Sequence, residues 1–263
     1  MPLMLDVYVP QNNRNNRPAI MFIHGGGFRG GSKQQNRIKE FAYYFVSRGW
    51  VFYSIDYRLK KHCGTVPEEW LERSLRLPEK RRDQFLAMYP ALRDAKAALR
   101  WIVANARTYG IDKNLITVAG ASAGAINAIS LGISNPEDYR DEISLEKDPT
   151  LADTHMEESY QVKAIIDLWG SKIGLDALDD VYGYQRFDRE DPPLMVVHGT
   201  EDPIIPFSLA TELKTKYEEN NLTISFYPLE GFKHGAWKAK VDDQALDKLC
   251  FDFIVDQLNL LAE

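Results

Sequence analysis

A serine between two glycines, Ser122 in the sequence Gly120-Ala121-Ser122-Ala123-Gly124, has the setting of an activated nucleophile. The preceding residues Leu115–Ala119 are mostly apolar or β-branched, which predicts a buried strand, and Ala125–Leu131 predict the start of a helix. Glycines at a sharp strand-to-helix turn let the backbone fold back tightly and present the serine hydroxyl to a cleft. The chemistry open to such a hydroxyl is nucleophilic attack on a carbonyl carbon.

A serine hydroxyl is a poor nucleophile at neutral pH, so it needs a base, and the base needs an acid that orients it. Asp202 follows the predicted strand Leu194–Val197, and His234 follows the predicted strand Thr223–Tyr227. Because open α/β sheets place their sites at the carboxyl ends of the strands, both side chains are expected near Ser122. The sequence therefore predicts a triad of nucleophile, histidine base and orienting aspartate.

Each partner has a plainer interpretation when it is taken alone. His234 could be a surface-loop histidine, and Asp202 could be a helix-capping or turn residue. The order serine, aspartate, histidine along the chain favours the triad. His198 is the rival base, but it precedes the aspartate and adjoins a strand end, which favours a structural hydrogen bond to the loop.

The sequence His24-Gly25-Gly26-Gly27 follows the continuous apolar run Pro18–Ile23, which predicts a strand buried on both faces. A tetrahedral intermediate carries negative charge on the former carbonyl oxygen and needs N–H donors already in place. Glycines allow the backbone to approach that oxygen closely, and the amide of Ala123 beside the nucleophile is a further donor. A phosphate-binding loop is the alternative, but Gly31-Ser32-Lys33 lacks the spacing that such a loop requires.

Aromatic side chains near these motifs are candidates for the walls of a substrate pocket. We single out Phe28, Tyr57 and Trp169, with Trp70 and Trp237 as weaker candidates. For any one of them, packing in the core is an equally good interpretation.

No metal site or cofactor site is predicted. His62 and His155 lack partners at helical spacing, and the acidic pair Asp179-Asp180 is typical of a solvated surface. Cys63 and Cys250 are too few for a disulfide framework, so two unpaired thiols are expected.

Length and charge restrict the class of protein. A chain of 263 residues with 44% hydrophobic and 27% charged residues fits one globular domain spanning 1–263. A net charge of −6 argues against a nucleic-acid partner. No apolar run reaches the roughly 20 residues of a membrane span, and the N-terminus lacks the features of a signal peptide, so a cytoplasmic location is the default expectation.

Predicted strands and helices alternate along the chain, which indicates an α/β fold with a mostly parallel central sheet and helices on both faces. Three stretches break this alternation, at residues 59–90, 135–161 and 174–185. We expect them to be small excursions that could act as lids over the site.

Taken together, these motifs resemble the α/β-hydrolases, specifically carboxylesterases with an H-G-G-G oxyanion loop. The chain is similar to the hormone-sensitive-lipase-like group and to the bacterial acetyl- and feruloyl-esterase-like group. The resemblance implies Ser122, Asp202 and His234 as catalytic residues and Gly25, Gly26 and Ala123 as oxyanion-hole donors. Further matching segments are Leu5–Pro10, Asp56-Tyr57-Arg58-Leu59 and Asp94–Ala106.

One departure from the family concerns the start of the sheet. Family members usually have one or two strands before the one that corresponds to Leu3–Pro10, and here the chain has only just begun. The sheet is therefore expected to lack a full N-terminal strand pair.

The function that follows is a serine carboxylesterase that hydrolyses short-chain, acetyl-like esters of small molecules through an acyl-enzyme intermediate. A formamidase or a peptidase on the same triad remains an alternative, and so does a non-catalytic binding protein on the same frame. The oligomeric state stays open, with a homodimer among the alternatives.

Overall fold

The computed structural model describes residues 3–12 and 14–260; residues 1, 2, 13 and 261–263 of the predicted domain lie outside this part. Seven strands form the central sheet in the order β1-β3-β2-β4-β5-β6-β7. Their bounds are β1 Leu5–Tyr8, β2 Arg17–Ile23, β3 Val51–Ile55, β4 Ile111–Ala121, β5 Ala164–Leu168, β6 Leu194–Gly199 and β7 Ile224–Leu229.

The edge strand β1 pairs antiparallel with β3, and all other neighbours in the sheet are parallel. The predicted mostly parallel sheet is confirmed. Among the described residues, β1 is the one strand that precedes β2, the first strand of the parallel part.

Helices cover both faces of the sheet. Their bounds are α1 Asn36–Val46, α2 Glu68–Leu75, α3 Glu79–Ala104, α4 Ala106–Tyr109, α5 Ala123–Ile133, α6 Ile173–Tyr182, α7 Phe207–Glu219 and α8 Leu246–Gln257. A short hairpin, β8 Lys240–Val241 and β9 Gln244–Ala245, lies just before α8. Within residues 3–12 and 14–260, no helix combines the length and the apolar character that crossing a bilayer requires.

The alternation of side chains along β2 shows how one strand builds two cores. Met21 and Ile23 pack into the cluster that includes side chains of α3, α5, α6 and α7. Ile20 and Phe22 pack into the opposite cluster with α1 and α8. Because both faces are covered, β2 is apolar at nearly every position, as buried parallel strands are.

The helix α3 is longer than the sequence predicted. The spacing of apolar residues from Leu92 to Ala106 predicts a helix over residues 91–109, whereas α3 begins at Glu79 and contains Pro90. Proline removes one backbone donor and usually marks a helix boundary, which is why the sequence pattern placed the start too late. The Pro90 ring packs directly against Gly64. A Cβ at position 64 would lie 2.4 Å from Cβ of Pro90, so only glycine allows this contact.

The three predicted excursions pack against one another. The ring centroids of Trp70 in α2 and Tyr139 are 5.8 Å apart, and the Tyr139 hydroxyl donates a 2.6 Å hydrogen bond to the carbonyl of Gly174. An ion pair between Arg73 and Asp180 joins α2 to α6. The segment 174–185 differs from the predicted irregular excursion, because most of it belongs to α6, whose inner side chains are buried.

The segment 135–161 is attached to α3 by a buried lysine. The Nζ of Lys96 donates a hydrogen bond of 2.5 Å to the carbonyl oxygen of Asn135. Burial lowers the pKa of Lys96 to about 7, because the charged ammonium loses its hydration. A neutral amine still donates the hydrogen bond, so the attachment does not require the charge.

We expect Lys96→Met to remove a pH-dependent part of the stability. Between about pH 7 and pH 10 the unfolded chain holds a lysine proton that the native state lacks, so the Lys96 contribution to the free energy of unfolding rises with pH. The difference in unfolding free energy between wild type and Lys96→Met should therefore grow from pH 7 to pH 9 in urea titrations. Lys147→Met, at an exposed position of the same segment, serves as the control. Parallel pH curves for wild type and Lys96→Met would contradict the expectation.

Candidate active site

The turn between β4 and α5 has the geometry of a nucleophile elbow. Ser122 has φ 56° and ψ −121°, a conformation that non-glycine residues rarely adopt. A Cβ on Gly120 would lie 2.1 Å from the carbonyl oxygen of Gly124, and a Cβ on Gly124 would lie 2.0 Å from that of Ile23. Only glycine fits at both positions, which explains why Ser122 is flanked by this residue type.

The three residues of the predicted triad are brought together in hydrogen-bonding order. The Nε2 of His234 lies 2.9 Å from Oγ of Ser122, and its Nδ1 lies 2.7 Å from Oδ2 of Asp202. The aspartate side chain is fully buried, whereas 21% of the histidine side chain is exposed. When Nδ1–H donates to the carboxylate, Nε2 is left free to accept the serine proton.

The aspartate is held by its own loop. Its Oδ1 accepts hydrogen bonds from the amides of Ile204 at 2.8 Å and Ile205 at 3.0 Å. The buried His198 lies 2.9 Å from the Ile205 carbonyl through Nε2, which confirms the structural hydrogen bond predicted for this residue. Burial lowers the pKa of His198 and so favours the neutral ring beside Asp202.

The glycine loop after β2 lies directly against the elbow. A Cβ on Gly25 would be 2.8 Å from the carbonyl oxygen of Ala121 and 3.2 Å from Cβ of Ser122. Within the part of the chain that the structure describes, the amides of Gly25 and Gly26 donate to no other protein group. Ala123 is the first residue of α5, where backbone amides have no acceptor inside the helix. All three amides are thus available to an oxyanion.

Two contacts that the sequence analysis missed support this loop. The Nδ1 of His24 lies 2.7 Å from the Gly25 carbonyl oxygen, and the hydroxyl of Tyr57 donates a 2.9 Å hydrogen bond to the His24 carbonyl. The two rings stack with their centroids 4.3 Å apart. Tyr57 follows β3 in the Asp56–Leu59 motif, so its position at a strand end was the available signal.

The three aromatic residues proposed for the pocket are almost completely buried. Phe28 is 0%, Tyr57 1% and Trp169 2% exposed. The Trp169 ring packs edge-on against Trp237 with the centroids 4.9 Å apart. Burial favours the packing interpretation, in which these side chains support the loops around the site rather than form open pocket walls.

The structure also has a cavity of about 1040 Å³ between β1, α3 and the segment 148–155. None of the triad residues lines it. Cavity size therefore gives no guide to the substrate pocket, and the site is located by the triad geometry.

Among the described residues, no group of three or more histidine, cysteine, aspartate or glutamate side chains could hold a metal ion. Cys63 is exposed and Cys250 is buried, and both are free thiols, as predicted.

The strand order and the geometry at the elbow define an α/β-hydrolase. The sequence model of the BD-FAE family matches residues 5–68 and 80–179, more than half of the chain. The chain therefore belongs to the BD-FAE family.

Relatives in sequence carry esterase names. The esterase LipC of Mycobacterium tuberculosis is 25% identical over 238 residues, which are 83% of this chain and 53% of LipC. The juvenile hormone esterase of Heliothis virescens is 33% identical over 118 residues, 45% of this chain and 18% of that protein. The chain thus spans about half of LipC and a smaller share of the insect enzyme.

Solved structures share the fold. Esterase 2 of Thermogutta terrifontis phosphorylated by paraoxon has a TM-score of 0.73 at 24% identity, covering 100% of this chain and 92% of that one. The butyrate-bound form of the same esterase has a TM-score of 0.74 at 21% identity, with the same coverage.

We expect Gly25→Ala to lower kcat for ester hydrolysis by about 10- to 100-fold, because the added methyl group would push the loop amides away from Ser122. Gly30→Ala is the matched control: it lies in the same loop, and a Cβ there meets nothing within 4 Å. Steady-state kinetics and thermal unfolding of both variants provide the measurement. Equal kcat values for the two variants would show that the close approach at Gly25 has no part in activity.

Proposed function

We propose that this chain is a serine carboxylesterase in which Ser122 is the nucleophile, His234 the general base and Asp202 the residue that orients the imidazole. One observation carries the proposal: the hydrogen-bonded line of 2.9 Å and 2.7 Å through these side chains. It lies beside three backbone amides that are available as oxyanion donors. The esterase names of the relatives in sequence support the same activity.

In the acylation step, His234 Nε2 takes the proton of the Ser122 hydroxyl as its oxygen attacks the ester carbonyl carbon. The carbonyl π bond opens, and the resulting oxyanion accepts hydrogen bonds from the amides of Gly25, Gly26 and Ala123. The imidazolium is stabilised by the carboxylate of Asp202. The tetrahedral intermediate then collapses, the alcohol leaves with the proton from His234, and an acyl-serine remains.

In the deacylation step, water replaces the alcohol. His234 removes a proton from this water as its oxygen attacks the acyl carbon, and the same amides stabilise the second oxyanion. Collapse expels the Ser122 oxygen, which regains its proton from His234. The carboxylic acid leaves, and the free enzyme is restored.

The N-terminus of α5 adds to the stabilisation of the oxyanion. Ala123 is the first residue of this helix, so the positive end of the helix dipole lies next to the reacting carbonyl. This field favours the negatively charged intermediate over the neutral ester, which is what lowers the barrier.

For the substrate we propose a small-molecule ester with a short acyl chain. The loops next to the elbow carry the bulky side chains Phe28 and Trp169, which follow β2 and β5 and are buried. The structural neighbour from Thermogutta terrifontis has been solved with propionate and with butyrate bound. Both bound acids are short, which is consistent with this choice.

For the architecture we propose a single hydrolase domain over residues 1–263. The segments 59–90, 135–161 and 174–185 contact one another through Trp70, Tyr139 and Gly174, and we propose that they act as one unit in covering the site.

Ser122→Ala should lower kcat by about 10³-fold or more, because the variant lacks the atom that forms the acyl bond. A fluorophosphonate probe should add once to the wild-type chain and not to Ser122→Ala, as measured by mass spectrometry. Ser130→Ala, which changes a buried serine in α5, the helix that follows Ser122, should still be labelled. Full activity in Ser122→Ala, or labelling of that variant, would overturn the assignment. A wild-type protein that is never labelled would favour the binding-protein alternative.

Among p-nitrophenyl esters, kcat/KM should be highest for acetate to butyrate and should fall by about tenfold or more beyond about eight carbons, because a small acyl site excludes longer chains. The measurement is a series of acyl lengths at constant alcohol. A rise in kcat/KM with chain length past this point would contradict the short-chain proposal. Equal rates on matched esters and anilides would favour the formamidase or peptidase alternative.

A further inference from the structure

A carboxyl group is buried next to the elbow, and the catalytic mechanism does not use it. Asp167 lies in β5 with no exposed surface. Its Oδ1 accepts a hydrogen bond of 2.6 Å from the amide of Gly170, three residues further along the chain. Its Oδ2 has no hydrogen-bond partner among the described residues. A buried carboxyl with one unsatisfied oxygen is costly, so its retention calls for a reason.

The turn that this carboxyl closes is bonded directly to the nucleophile. The carbonyl oxygen of Leu168, inside the turn, accepts a 2.9 Å hydrogen bond from the backbone amide of Ser122. Asp167 itself is the sheet neighbour of Gly120, two residues before the nucleophile. Any shift of the turn would therefore move the acceptor that holds the Ser122 backbone.

The same turn is in contact with the residues after the nucleophile. A Cβ on Gly170 would lie 2.5 Å from Cβ of Ala125 in the first turn of α5 and 2.7 Å from Oδ1 of Asp167. The turn is thus confined between β5 and α5. Little space remains for it to relax without moving the elbow.

The turn also contains a strained residue. Trp169 has φ 49°, which is unfavourable for a bulky aromatic side chain. Its amide donates a 2.8 Å hydrogen bond to the carbonyl of Val197 in β6. Strain of this kind persists only where surrounding contacts hold the backbone, and the Asp167–Gly170 hydrogen bond closes the turn around Trp169.

We propose that Asp167 is a positioning residue, whose side-chain oxygen holds the 167–170 turn and through it the backbone of the nucleophile Ser122. This inference rests on the proposed function. Asp167 touches neither substrate nor the reacting atoms; it acts through Gly170 and Leu168.

The role requires a hydrogen-bond acceptor and no negative charge. Burial raises the pKa of Asp167 to about 7, because the ionised form loses its hydration without gaining a counter-ion. A neutral acid accepts the Gly170 amide through its carbonyl oxygen, and an asparagine side chain offers the same oxygen at the same place. A leucine of similar size offers none.

The test compares Asp167→Asn with Asp167→Leu in ester kinetics. Asp167→Leu should lower kcat by about 10- to 100-fold while KM changes less than about threefold, because a misplaced nucleophile affects the chemical step more than binding. Asp167→Asn should stay within about threefold of wild type, because it restores the acceptor. Gly170→Ala, which displaces the same turn from the other side, should also lower kcat, and it replaces Asp167→Leu if that variant does not fold.

The matched control is Asp191→Leu. Asp191 also accepts a backbone amide, that of Asp188 at 3.1 Å, and burial raises its pKa to about 7. It lies just before β6, where the parallel strands begin, whereas the elbow lies where they end. Asp191→Leu should lower the thermal unfolding temperature and leave kcat near that of wild type.

Unchanged kcat in Asp167→Leu would overturn the inference. So would an equal loss in Asp167→Asn, or an equal loss in Asp191→Leu. Each of these results is read against a wild type that hydrolyses esters and is labelled at Ser122 by a fluorophosphonate probe. A wild type that does neither overturns the proposed function instead, so the two failures are distinguishable.

Discussion

The structure depends on one close approach of two backbone segments. At the elbow, a Cβ on Gly124 would lie only 2.0 Å from the carbonyl oxygen of Ile23 at the end of β2. This contact brings the start of α5 against the neighbouring strand, and it places the glycine loop that follows β2 beside Ser122. The proposed oxyanion donors and the proposed nucleophile are therefore positioned by the same packing. A side chain at Gly124 would separate them.

Three residues with a strained backbone lie at the same edge of the sheet. Phe28, Ser122 and Trp169 all have positive φ, and they follow β2, β4 and β5 respectively. Conformations of this kind cost free energy of about 1–3 kcal/mol each and persist where the surroundings leave no alternative. Here the surroundings are central strands buried between two hydrophobic cores. The buried sheet thus holds three strained turns at Ser122 and beside it.

Much of the fold could be predicted because central parallel strands are apolar on both faces. The strands β2 and β6 are recognisable from their residues alone. The prediction was less accurate where tertiary contacts decide the outcome. The helix α3 continues through Pro90, whose ring packs closely on Gly64. The strand β4 starts at Ile111, before the predicted Leu115. Ile111 pairs with Arg17, the first residue of β2, whereas the polar residues between Ile111 and Leu115 are partly or fully exposed.

The sequence by itself determined the identities and order of the chemical groups: Ser122 in its glycine-flanked turn, then Asp202 and His234, with the glycine loop upstream. These are local patterns, and local backbone requirements impose them. Only the tertiary structure decided which groups touch. It buried Tyr57 behind the oxyanion loop and placed Asp167 under the elbow, because contacts between residues far apart in the chain follow from strand order and packing. No spacing along the chain encodes them.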